Sequence, residues 1–276
     1  MSSSVEKTLC EAAEKGRVQE VITLLKDTPG LNVNWCNETK MTALLRASRN
    51  GRVEVVKVLL AHPDIDVHVQ SMAGYTAFAS SCLNGHEAVV RVLLKDPRVD
   101  VTANEKEGWT PLWMASCYGH CEVVKRLIAC GRDLRDIHQK GKDWGKNYTP
   151  LEVARKYKKT EVVSLLERFI NNPEQTRFEV RVTLGALDEL AAEVFALTVF
   201  LCDDLLRLKP AQTSLTCNPA AASGVTRFFA IAQKLPMELQ MVLCRRVVGS
   251  TKQNILRHDS EIAFKSLVRF LLPSHA

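Results

Sequence analysis

The chain has 276 residues, 46% of them apolar, which is enough material for one large or two small cores. It has no uncharged apolar run of about 18 residues, the length a helical membrane span needs, and Met1 to Lys7 is not followed by the apolar segment of a secretory leader. The formal charge of +6 is modest and spread along the chain, so charge alone does not argue for nucleic acid.

In chain order, the pattern predicts helices near 5–15 and 18–26, then an outward turn from Thr28 to Asn34. Glu and Lys stand in the first helix where later segments carry small residues, which suits an end that faces water. Helix pairs follow near 43–50 and 53–61, 77–84 and 87–95, 111–118 and 121–129, and 150–157 and 160–170. Each pair opens on a threonine. Thr42, Thr76 and Thr110 stand 34 residues apart, and Thr149 follows 39 residues later.

The shared residues have chemical roles. The threonines can cap the first helix of each pair, and Pro111 and Pro150 occupy a first turn, where a missing N–H costs little. Ser81, Cys82, Ala115 and Ser116 are small where the two helices of one pair must meet. Gly51, Gly85 and Gly119 permit a left-handed residue after the first helix. His86 and His120 follow two of these glycines and suit a hydrogen-bonding structural role, since no nucleophile is spaced to use either as a base. Pro63 and Pro97 end second helices in slightly lengthened turns.

The segment from Asp133 to Thr149 is about five residues too long for the finger of such a unit, an addition that is cheap in loop entropy. Gly141-Lys142 within it is not a phosphate loop, because the upstream glycine is missing. The basic run from Arg155 to Lys159 suits a solvated face, or contact with an anionic partner. After Pro173 the pattern predicts one long helix from about Glu174 to Lys209, a mobile loop over 210–224, and three shorter helices. The second of these opens at Pro236 and ends at Gly249.

The Thr-Pro-Leu signature at Thr110 and Thr149, the Gly-His pairs and the period of 34 resemble the ankyrin repeat. Five copies are expected, at about 4–36, 37–70, 71–104, 105–136 and 137–172. The resemblance implies an all-α solenoid of helix-turn-helix units with turn fingers over 1–172. A C-terminal helical domain over 173–276 is then expected to pack on the last repeat. It also implies a protein-interaction scaffold with a protein partner, no cofactor and no small-molecule substrate. Leu235 to Leu239 looks like the opening of an F-box-like helix, which implies as an alternative a substrate adaptor of a ubiquitin ligase.

Two positions of the unit are not needed for stacking. Just before the threonine stand Met41, Tyr75, Trp109 and Tyr148, and just before the glycine, or its equivalent, stand Asn50, Asn84, Tyr118 and Tyr157. Large amphipathic rings at free positions suit partner anchors on the concave face, with Trp144 of the long finger beside them. The alternative is that they pack on neighbouring fingers. No catalytic constellation, phosphate loop or zinc spacing is present, so neither an enzyme nor a metal site is expected. Nucleic acid would rest on Lys140, Lys142, Lys146, Arg155, Lys156, Lys158 and Lys159 alone, and is the weaker reading. The cysteines show no C-x-x-C pairing, and Cys82, Cys117, Cys130 and Cys202 lie in apolar helices. Reduced packing thiols in an intracellular, cytoplasmic or nuclear setting are expected.

Overall fold

The computed structural model describes residues 2–103, 105, 107–132, 135–202, 232, 237–248 and 263. The chain divides into two compact units, Met1–Val180 and Arg181–Ala276.

The first unit is built from five helix pairs: α1 (Ser2–Lys15) with α2 (Val18–Asp27), α3 (Ala43–Arg49) with α4 (Val53–Leu60), α5 (Ala77–Leu83) with α6 (Glu87–Lys95), α7 (Pro111–Tyr118) with α8 (Cys121–Ala129), and α9 (Pro150–Lys156) with α10 (Thr160–Asn171). The first helices pack in series, each on the next, and the second helices form a parallel row behind them. Both rows meet along Ala13, Ala47, Ser81, Cys82, Ala115 and Ser116, all at 0% exposure, where any larger side chain would force the rows apart. The second helices turn Val55, Val56 and Leu59, or Val89, Val90 and Leu93, fully inward. Each such side chain contributes about 1.5–3 kcal/mol. In the end repeat, Lys7, Thr8, Glu11 and Lys15 face water, whereas Glu6 is buried.

The threonines act as the sequence predicts. Thr42, Thr76 and Thr110 accept from the N–H groups of Leu45 (3.2 Å), Ala79 (3.1 Å) and Trp113 (3.1 Å). Thr149 and Glu152 form a reciprocal capping box. The residue after each glycine ties its repeat to the one before. His86 Nε2–H donates to Arg49 O (2.9 Å) and His120 Nε2–H to Leu83 O (3.0 Å). The rings lie so close to the preceding left-handed glycines that a Cβ on Gly51 or Gly85 would come within 2.8 or 2.5 Å of them. A second ladder runs along the other row. Arg98 donates to Leu60 O, Arg132 to Leu94 O and Arg177 to Ile128 O, so each guanidinium satisfies carbonyls at the end of the preceding second helix.

The long finger is not an irregular loop. A 3₁₀ turn (Arg135–His138) leads into a two-stranded antiparallel hairpin, β1 (Gly141–Asp143) and β2 (Lys146–Tyr148). The five extra residues are thus spent on a hydrogen-bonded arm. Apart from this arm the regular secondary structure among the described residues is helical.

The expected helix from Glu174 to Lys209 is two helices over its described part, α11 (Pro173–Thr183) and α12 (Ala186–Cys202). Gly185, with φ of +66°, breaks it, its N–H bonding back to Val182 O at 3.1 Å. An unbroken apolar period across Gly185 concealed the break. The division between units falls after most of α11 rather than before it, because Arg177 bonds Ile128 O (3.2 Å) and stacks on the Phe169 ring (5.6 Å). In the second unit α12 packs on α13 (Met237–Val248), where Thr198 Oγ1 lies 3.6 Å from Cys244 Sγ. The loop expected over 210–224, Pro236, and the helices expected on either side of α13 (save Ala232 and Ala263) lie outside the described residues. So do Leu235 and the side chains of Glu238 and Leu239, which carry the F-box-like reading.

Candidate functional site

Finger tips are set by a recurring device. Asn37 Oδ1, Ser71 Oγ and Glu105 Oε1 accept from the N–H groups of Met41 (2.9 Å), Tyr75 (3.2 Å) and Trp109 (3.1 Å), so the residue before each repeat threonine is held in a fixed pose. All three side chains are half-buried.

Trp109 is the most constrained. Its indole stacks on Trp113 with centroids 5.0 Å apart and planes 10° from parallel, and its Nε1–H donates to Lys142 O (2.6 Å). Trp113 is 1% exposed and donates from Nε1 to Tyr148 O (2.8 Å). The hairpin is therefore clamped to the fourth repeat through two indole N–H groups. Gly141 passes so close that a Cβ there would lie 2.6 Å from Trp109 and 3.0 Å from Trp113. Tyr75 and Tyr148 pack against the same core cluster.

Between α7, the end of α9 and the hairpin lies a cleft of about 490 Å³, lined by Trp109, Trp113, Cys117, Tyr118, Asp143, Trp144 and Tyr157. Of the rings expected at the free positions, the fold brings Trp109, Tyr118, Trp144 and Tyr157 together here. Met41 does not line the cleft, and neither does Asn84, whose side chain donates to Ser80 O (2.8 Å) in its own helix. Asn50 caps Arg46 O in the same way.

Sequence reasoning did not single out Asp143 or Trp113. Asp143 is 8% exposed, and its Oδ2 accepts from Lys156 Nζ (2.8 Å) and Tyr157 Oη (2.9 Å). These bonds raise the pKa of both donors above their ordinary values. The Lys156 ammonium also lies over the Tyr148 ring at 4.5 Å and 5.4 Å from the Tyr157 centroid. Nothing in the sequence marked Asp143, whose inward position comes from the strand Gly141–Asp143. Burial pushes the Cys117 thiol up to about 11, so it lines the cleft as a neutral, weakly polar surface.

Trp144 stands at the mouth of the cleft. It is 90% exposed, and it occupies the first central position of the hairpin turn with φ of +49°, followed by Gly145 at +79°. Two-residue hairpin turns favour Asn, Asp or Gly at such a position. A bulky residue held left-handed costs about 1–2 kcal/mol. Neither folding nor burial accounts for this side chain.

A second hollow, of about 430 Å³, is lined in part by Arg132 and Arg177, both already committed to backbone carbonyls. Among the described residues, no cluster of three His, Cys, Asp or Glu could hold a metal, and no helix is long and apolar enough to cross a membrane.

Stacked helix pairs with projecting turn fingers define a repeat solenoid. The family model described as ankyrin repeats (3 copies) matches residues 9–105, 59–140 and 97–176, and the chain belongs to the ankyrin-repeat family. No curated protein matches the chain. Ankyrin repeats are generally protein-interaction modules, and proteins built from them are typically binding scaffolds rather than enzymes.

Proposed function

We propose that this protein is an interaction scaffold whose binding site is the aromatic cleft between the fourth and fifth repeats. Trp109, Tyr118, Trp144 and Tyr157 are its anchors, and Tyr75 and Tyr148 shape its base. Met41 and Asn84 are flanking contacts for a partner that extends along the fingers. The observation that carries the reading is Trp144, an indole exposed at 90% in a turn position that disfavours it. Trp and Tyr in such places bring large rigid area with little rotamer entropy to lose.

The test is a comparison of captured proteins. Wild type, Trp144→Ala and Met72→Ala, a control on another finger that is also exposed (58%), are used as baits under cross-linking. Trp144→Ala is expected to melt at the wild-type temperature and to lose a partner that Met72→Ala keeps, with binding weakened about 30-fold, or roughly 2 kcal/mol. A partner retained by Trp144→Ala would remove the cleft from consideration. Trp109 is a poorer probe, because its truncation also removes the bond to Lys142 O and the stack on Trp113.

A further inference from the structure

The charge of this chain is less evenly spread than its total suggests. Residues 137–160, the long finger and α9, hold seven lysines and arginines against two carboxylates, a net of five of the chain's six positive charges. The hairpin that carries Lys142 and Lys146, and the end of α9 with Lys156 beside Asp143, also frame the cleft.

Three of the seven are answered locally. Lys156 is held by Asp143 at 2.8 Å, Arg155 by Glu167 at 2.6 Å, and Lys142 stands 4.0 Å from Glu107. Among the described residues, no carboxylate pairs with Lys140, Lys146, Lys158 or Lys159. Lys146 follows the Trp144-Gly145 turn directly, and Lys158 follows Tyr157, so an exposed lysine adjoins in the chain each of two segments that line the cleft. Lys159 lays its methylenes over Gly119, and its charge reaches Cys117 inside the cleft. Asp143 adds no net negative field, since Lys156 neutralises it.

We infer that the partner is an acidic protein segment that inserts one aromatic or large aliphatic side chain beneath Trp144 and sets flanking carboxylates against Lys146 and Lys158. This rests on the cleft being the binding site. The volume of about 490 Å³ lies within the ~300–1,000 Å³ of small-ligand sites, room for one large side chain and its adjoining backbone. The apolar anchor supplies residence, and the unanswered lysines supply steering and choice of partner. A single-stranded nucleic acid is a poorer fit. It needs successive open ring faces, and here Trp113 is buried while Trp109 is covered on one face by Trp113.

The test begins with an unbiased library of displayed random dodecapeptides, selected on the immobilised full-length chain and counter-selected on Trp144→Ala. Retained peptides are measured by fluorescence anisotropy against wild type and the Lys146→Glu/Lys158→Glu and Lys146→Gln/Lys158→Gln variants. A 20-residue oligothymidylate serves as competitor, and melting curves confirm that each variant folds. Enrichment of Asp and Glu around a Phe, Trp or Leu is expected. Affinity should fall about 10-fold or more in the charge-reversed variant, less in the Gln variant, and steeply with added salt. Peptides that depend on Trp144 but are neutral or basic would overturn the charge inference and leave the cleft standing. If no peptide depends on Trp144, both readings fall. Oligothymidylate binding more tightly than every selected peptide would replace the acidic segment with nucleic acid.

Discussion

Lys158 stands where the four earlier repeats have glycine. Its φ is +55°, against +76° at Gly16, +69° at Gly51, +73° at Gly85 and +82° at Gly119. A side chain in this region costs about 1–2 kcal/mol, partly offset because glycine loses more entropy on folding. Lys158→Gly is therefore expected to stabilise the first unit by about 0.5–1 kcal/mol, measured as a higher urea midpoint with unchanged slope. An unchanged or lower midpoint would mean that Lys158 supplies a contact worth more than the strain. Asp96 is a second residue with a measurable role. The Arg98 side chain, bonded to its carboxylate at 2.7 and 3.0 Å, holds Asp96 below the ordinary value of 3.8, and burial only partly opposes this. A lowered folded-state pKa means stability that is fully present above the unfolded value. It is lost as pH falls through the folded one. Acid unfolding should therefore include a contribution below the ordinary carboxylate range that Asp96→Asn removes. Thermal melts of both proteins between neutral pH and about pH 2 would check this, and parallel curves would contradict it.

At the scale of elements, α11 is the piece whose membership matters. It buries Thr176 (2%) and Val180 (5%), donates from Arg177 to Ile128 O and pairs Glu179 with Arg168. A chain ended after Thr183 should therefore melt roughly 5 °C or more above one ended after Asn172, since the shorter chain leaves the last pair uncapped. Equal melting temperatures would show α11 to be dispensable. What the sequence revealed about elements followed from repetition. Thr42, Thr76 and Thr110 each sit at a helix start because the same local chemistry is written three times, and each copy vouches for the others. The two departures lay where nothing repeats. Gly185 breaks a stretch whose apolar period runs on unbroken, and the hairpin lies in a finger with no second copy to compare.

At the scale of the whole molecule, the solenoid was legible and the cleft only half so. Trp109 and Trp113 are four residues apart and look alike in sequence, and both line the cleft, yet one is half-buried and the other is 1% exposed. Only the return of the hairpin over them decides which. Asp143 was unreadable for the same reason: its partners, Lys156 and Tyr157, lie across a turn and a helix from it. The clustering of charge was present in the sequence but concealed by a total of +6 taken over 276 residues.

The glycine-to-histidine contact has a consequence for how such a chain can change. Gly51 meets His86 and Gly85 meets His120, each across the same interval, so successive joints are interchangeable. A block such as residues 71–104 carries one half of each of two joints, His86 toward the repeat before it and Gly85 toward the repeat after it. Duplicating or excising that block in register leaves every remaining joint matched, so the scaffold can gain or lose reach by whole modules without repacking its interior. That freedom stops at the fifth unit. There Lys159 replaces histidine over Gly119, Lys158 replaces glycine, and the hairpin fits only the indoles beneath it. The modules that can be exchanged are the plain ones, and the module that cannot is the one that carries the cleft.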